Sequence, residues 1–332
     1  MPSGTSSPTV RYSLVTPCYN AAGTLGRQLA LLANERVAAP WEMVIVDNGS
    51  TDSTLAVVEA YAGRIPNLRV VDASNVPRSI AHARNTGVAA AAADRILFLD
   101  ADDEIAPGWL AAMAGALETC GLIGCRIDYD RLNRNWPASR SMEPQQSGLA
   151  NEYGFLPYCT SCGMGVWREY HDAVGGFDPI YRRLEDIDYC WRVQLATGIT
   201  PGFVPAAVLH YRLRGTSERV FTQSVDWGFD EAYLFQRFRP HGFSRPTYSP
   251  VGSWERAQAL ADELIGQRDL LNDDRGRLQW WKWAGYFVGS MEGWAVYGAD
   301  DRGANAGAIG DAGRERVESG LEAFAKVIQE AL

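Results

Sequence analysis

No stretch of 18 uncharged apolar residues occurs in the 332-residue chain, which excludes a conventional membrane-spanning helix. Positive charge is scarce as well: 31 Lys and Arg stand against 40 Asp and Glu, a formal net charge of −9. Non-specific affinity for phosphate backbones and anionic lipid comes from clustered cations, so no nucleic-acid partner is expected. The opening residues MPSGTSSPTVR lack the apolar core of a signal peptide. Cysteine is sparse, with Cys18, Cys120, Cys125, Cys159, Cys162 and Cys190 scattered along the chain. A cytoplasmic protein with reduced thiols is therefore expected. Cys159 and Cys162 have CxxC spacing, but no second CxxC or His pair follows at zinc-finger distance, so burial as small residues is their expected use. The chain is not short of core. At this length folding removes roughly three quarters of the unfolded surface from water, and 46% apolar with 21% charged residues are ordinary globular values.

What is present is an alternation. After a Ser/Pro/Thr tail over residues 1–9, expected to be disordered, short apolar runs at 12–16, 43–47, 68–71 and 95–100 lack strict two-residue alternation. Strands covered on both faces read this way. Helical patterns over 24–33, 52–61 and 78–93 lie between them, the second opening with Ser50-Thr51-Asp52, good N-cap chemistry. Strand–helix order with short connections makes an α/β protein with a mainly parallel sheet flanked by helices, whose ligands bind beyond the carboxyl ends of the strands.

Three of those ends carry unusual polar residues: Thr16-Pro17-Cys18-Tyr19-Asn20, Asp47-Asn48-Gly49-Ser50-Thr51-Asp52 and Asp100-Ala101-Asp102-Asp103-Glu104. Each is ordinary turn chemistry alone, but three at successive strand ends point to a site. Asp100 and Asp102 leave the sheet edge one residue apart and repel unless a cation lies between them. Mg²⁺ or Mn²⁺, held by carboxylates and substrate phosphates, resolves that cost and offsets charge on a departing diphosphate. Asp47, alone at the end of its strand, suits a hydrogen bond from a base N–H.

The segments VTPCYNAAGTLGRQLALL, VIVDNGSTDST, ARNTG and ILFLDADDEI together resemble the donor half of family 2 nucleotide-sugar-dependent glycosyltransferases, over roughly residues 10–215. The resemblance implies a GT-A (Rossmann-like) fold and an inverting transfer. It also implies that Pro17, Tyr19 and Asn20 line the nucleoside pocket and Asp47 reads the base. Arg84 and Asn85 would lie beside the diphosphate and sugar. Asp100, Ala101 and Asp102 match the DxD segment holding metal and donor. Farther on, Gly175-Gly176-Phe177-Asp178 and Glu185-Asp186-Ile187-Asp188 resemble the acidic region in which the residue matching Asp186 is the base. On a helix starting near Glu185, that residue and Asp188 share a face. Glu185, Asp188 and Trp191 stand as acceptor-side support, and Asp178 as a loop cap. His210, after a strand-like stretch at 202–209, is structural or a further metal ligand; relatives with such a ligand raise the second reading.

The expected organisation is a nucleotide-binding half at 10–105, an acceptor and catalytic half at 106–220, and a mostly helical C-terminal extension at 221–332. Within that extension Trp280, Trp283, Phe287, Met291 and Trp294 form a helical apolar stripe, and Gly285, Gly289 and Gly293 a ridge. Core packing, a peripheral contact with the inner face of the membrane, or a homodimer through residues 276–297 each fit. The expected activity moves a sugar from a nucleotide-diphosphate donor to a hydroxyl acceptor: a saccharide, a lipid-linked saccharide or a natural product. A sugar-nucleotidyltransferase would need a Gly- and Arg-rich loop after the first strand, whereas residues 17–23 contain no Arg. A silent nucleotide-sugar-binding module would carry a broken base or metal pair, and neither is broken.

Overall fold

A computed structural model describes residues 10–76, 78–134, 144–213, 216–244, 249 and 254–297. The expected tail at 1–9 and residues 298–332 of the expected helical extension lie outside them. Four strands form the parallel half of one sheet: β1 (Tyr12–Cys18), β2 (Trp41–Asp47), β3 (Leu68–Asp72) and β4 (Arg95–Leu99). The other half is β5 (Glu104–Ile105), β6 (Leu122–Asp128), β7 (Gly163–Trp167) and β8 (Gly202–His210), giving the order β3-β2-β1-β4-β7-β6-β8-β5. β7 runs antiparallel to both β4 and β6, β5 antiparallel to β8, and β6 parallel to β8. The sheet is thus mixed, with four of seven pairings parallel.

Every residue of β1 and β2 is buried, which is why both lack polar alternation. Leu14, Met43 and Leu97 face a core closed by Leu25 and Leu29 of α1 (Ala22–Leu32) and Trp109 of α4 (Trp109–Leu117). Val15, Val44 and Phe98 face a second core shared with α3 (Ile80–Ala90), α6 (Glu185–Thr197) and the C-terminal helices. The short helices α2 (Thr54–Glu59) and α5 (Arg168–Ala173) complete the sheet domain.

Among the described residues three C-terminal α-helices follow: α7 (Ser217–Phe238), α8 (Trp254–Gly266) and α9 (Asp274–Tyr297). The glycine ridge of α9 is an internal seam. A methyl group added to Gly285, Gly289 or Gly293 would overlap the carbonyl oxygens of Phe221, Val225 and Phe229 on α7. Trp280, Phe287, Met291 and Trp294 are buried in the same core as Trp191. Residues 276–297 therefore spend much of their apolar face and their ridge within the chain, the core packing that was one of the three expected uses. Among the described residues no helix is long and apolar enough to cross a membrane.

Candidate active site

The strand register assembles the site. Cys18 pairs with Asp47 and Val15 with Phe98, so the ends of β1, β2 and β4 reach one edge of the sheet. Burial and the nearby Asp47, Asp100 and Asp102 push the Cys18 thiol up, which marks how close these groups stand.

Of the residues expected to line a nucleoside pocket, Pro17 is buried within β1, while Tyr19 is 43% exposed with the Arg78 guanidinium 4.2 Å from its ring centroid. Asn20 takes a left-handed conformation (φ 47°), and its Oδ1 accepts from the amides of Thr51 (2.8 Å) and Asp52 (3.3 Å). Through this oxygen its side chain joins two loops. Asp47 is nearly buried, and both its oxygens lie near one donor, the Ser50 amide (3.1 and 3.3 Å), leaving acceptor capacity for a base.

Beyond β4, ligand oxygens of Asp100, Asp102 and Asp103 all lie within 4.8 Å of one another. Gln28 of α1 secures this loop, donating to Asp100 O (3.3 Å) and accepting from the Ile105 amide (3.3 Å). Arg212 secures its other side, its amide donating to Asp103 Oδ1 (2.8 Å) and its Nε to Asp102 O (2.9 Å). Burial, then the charges of Asp102 and Asp100, raise the Asp103 carboxyl well above its ordinary range. Its Oδ2 is buried with no partner. A divalent cation fits this donor set, because it would relieve the repulsion and use the unpaired oxygen. His210 lies outside the three-carboxylate group. Its Nδ1 meets Asp128 Oδ2 at 2.5 Å, and its Nε2 is buried without a partner.

Arg84, expected beside the diphosphate and sugar, has its guanidinium committed within the protein. It is almost wholly buried, donating through Nη2 to Asp100 Oδ1 (2.8 Å) and through Nη1 to Glu185 Oε1 (2.5 Å). It therefore couples the carboxylate loop to the first turn of α6. Asn85 is also committed, its amide bracketing Phe177 by accepting from the backbone N (2.9 Å) and donating to the O (2.8 Å). On α6, Asp186 is partly exposed, and its oxygens accept from the amides of Ser161 (3.1 Å) and Ile187 (2.9 Å). Burial raises its pKa, and Arg84 opposes that rise.

Two acceptor-side expectations are corrected. Asp188 shares a face with Glu185 but is buried and paired with Arg192 (2.7 Å) and Arg237 (3.1 Å). Trp191 is 0% exposed, enclosed by Phe155, Phe238 and Phe243, with its indole N–H on Leu156 O (2.8 Å). Neither can touch an acceptor. Asp178 turns its loop, accepting from the Ile180 amide (3.1 Å) and pairing with Arg237 (2.6 Å). The CxxC cysteines are buried, and Cys159 contacts Cys190. Asp103 was legible as an acid beside the DxD pair, whereas nothing in the sequence marks Arg212 as its partner or Asp128 as that of His210.

The description "Glycosyl transferase family 2" matches residues 13–175. Validoxylamine A glucosyltransferase of Streptomyces hygroscopicus subsp. jinggangensis is 36% identical over 278 residues, covering 82% of this chain and 61% of that protein. Pre-mycofactocin glycosyltransferase of Mycobacterium tuberculosis is 30% identical over 240 residues, 68% of this chain and 46% of the relative. The chain thus spans about six tenths or less of the length of these relatives. Among solved structures, S. aureus TarS 1-349 in complex with UDP-GlcNAc superposes with a TM-score of 0.53 at 17% identity, covering 85% of this chain and 91% of that one. The mannosyltransferase PcManGT from Pyrobaculum calidifontis, in complex with GDP-Man and Mn²⁺, gives 0.52 at 18% identity, covering 98% and 84%. Both likenesses show the GT-A fold.

Proposed function

We propose, for a chain that belongs to glycosyl transferase family 2, the transfer of a sugar from a nucleoside-diphosphate donor to a hydroxyl acceptor with inversion at the anomeric carbon. The observation that carries this reading is the juxtaposition of Asp100, Asp102 and Asp103 with Asp186, joined through Arg84. Two carboxylate functions are thereby separated. The loop cluster would hold Mg²⁺ or Mn²⁺, with His210 Nε2 as the proposed nitrogen ligand. That ion supplies charge compensation for the diphosphate.

Asp186 accepts the proton of the acceptor hydroxyl, whose oxygen bonds to the anomeric carbon while the nucleoside diphosphate leaves with the bonding electron pair. A carboxylate with a raised pKa is a stronger base, and the Ser161 and Ile187 amides keep it aimed. Asp47 accepts from the base N–H, and Tyr19 with Arg78 borders the nucleoside. Relatives named as glycosyltransferases, and fold neighbours solved with UDP-GlcNAc or with GDP-Man and Mn²⁺, support the donor class. The test is Asp186→Asn. Transfer should fall at least 1,000-fold, on the order of a lost general base plus its geometry, while calorimetric donor affinity with Mn²⁺ stays within about twofold. Retained transfer would remove Asp186 from the base role.

A further inference from the structure

Helix α6 carries the proposed base in its first turn, yet its N-cap is Leu184, a side chain with no oxygen to offer. The segment leading into it is held from α7 instead. Asp230 Oδ2 accepts from three successive amides, those of Arg182 (2.8 Å), Arg183 (2.6 Å) and Leu184 (3.1 Å). Neighbouring positions of α7 hold the same segment. Asp226 pairs with Arg183 (3.3 Å) and Arg182 (3.6 Å), and the Arg182 guanidinium lies 3.6 Å from the Phe229 ring centroid. Tyr233 packs on Tyr181 with ring centroids 5.1 Å apart. Residues 226, 229, 230 and 233 are spaced i, i+3, i+4 and i+7, a single helix face. The four residues leading into α6 are thus laid along one face of α7.

We propose that Asp230 is a positioning residue for sugar transfer, fixing the entry to α6 so that Asp186 keeps its place against the Asp100–Asp103 loop. This rests on the reading of Asp186 as the base. A charged acceptor shared by successive amides is among the stronger hydrogen-bond arrangements, and here it fixes the three residues that deliver the chain to the first turn of α6. A shift of this entry would displace Asp186 from the Ser161 amide and Glu185 from Arg84 together, since both sit in the turn that follows it. Displacement of a reacting group by about 1 Å costs on the order of 100-fold in rate. The family match ends at residue 175, so this gives the C-terminal helices a part in catalysis that the donor half does not contain.

The test compares Asp230→Ala and Asp230→Asn with Trp280→Phe in the full chain. The last removes an indole hydrogen bond to Leu264 O (2.8 Å) in the C-terminal core and serves as the stability control. All are assayed below every melting transition. Asp230→Ala should lose roughly 10- to 100-fold in kcat with donor KM within about twofold. Asp230→Asn, whose amide oxygen still accepts, should keep most of kcat, and Trp280→Phe should keep kcat despite a lower Tm. A kcat for Asp230→Ala equal to that of Trp280→Phe overturns the proposal. Should Asp230→Ala not fold, Asp226→Ala takes its place, and a wild-type kcat there overturns it. Asp186→Asn is run alongside. If it retains transfer, the base reading fails; if it is inactive while Asp230→Ala keeps its kcat, the positioning role alone fails.

Discussion

A buried guanidinium holds its place through the carboxylates around it, and Arg84 has one on each side, Asp100 and Glu185. That arrangement turns a residue that looked like a ligand contact into a strut between two parts of the site. His171 is a second case in which burial decides the role. It lies against Tyr189 OH (3.1 Å) and the Phe177 ring, beneath the Gly175–Gly176 turn. Burial lowers its pKa to about 4. The folded state thus prefers neutral imidazole, whereas the unfolded chain binds a proton near 6.5. The stability this gives is present above 6.5 and is lost as pH falls towards 4. Between pH 7 and pH 5 the wild type should lose about 2 kcal/mol relative to His171→Gln. Urea unfolding at the two pH values measures it, and parallel pH slopes for the two proteins would contradict it.

At the scale of elements, identical substitutions should have opposite signs according to what the helix face meets. Gly289 of α9 touches the Val225 carbonyl of α7, and Gly289→Ala forces the helices apart, costing roughly 1–3 kcal/mol. Gly115 of α4 is exposed with no neighbour within 4 Å of an added methyl, so Gly115→Ala should stabilise by about 0.5–1 kcal/mol. Thermal melts of the two variants against wild type check the pair, and a shift of the same sign in both would contradict the seam. The glycine spacing was visible in the sequence, but its partner was not, because a ridge four residues apart suits any close helix. The parallel strands were legible for the opposite reason: complete burial leaves unbroken apolar runs with chemistry at their ends. β7 and the two-residue β5 leave no such trace, since their places depend on pairing with distant strands. The same holds within the site. Asp47, Asp100 and Asp102 could be read from strand ends, whereas the partners of Arg84, 16 and 101 residues away, could not.

For the whole molecule, the proposed function reconciles a net charge of −9 with an anionic donor through a cation shared between them. Three carboxylates within 4.8 Å repel a diphosphate, and a diphosphate alone leaves their mutual repulsion in place. Metal and nucleotide should therefore bind with positive coupling, each raising the affinity for the other by the same factor. Melting temperature reads this directly, because a ligand at about 100 times its Kd stabilises the native state by about 2.7 kcal/mol. For a chain of this length, with an unfolding entropy near 2.1 cal/mol/K per residue, that corresponds to about 4 °C. Mn²⁺ alone and a nucleoside-diphosphate sugar alone should each give less than the two together, with a shift of this size for the matching donor in a panel of uridine, thymidine and guanosine carriers. Asp100→Asn with Asp102→Asn should abolish the excess that the pair produces. A donor shift that is the same with Mn²⁺ and with EDTA would remove the metal from the site, and the carboxylate cluster would then need another use.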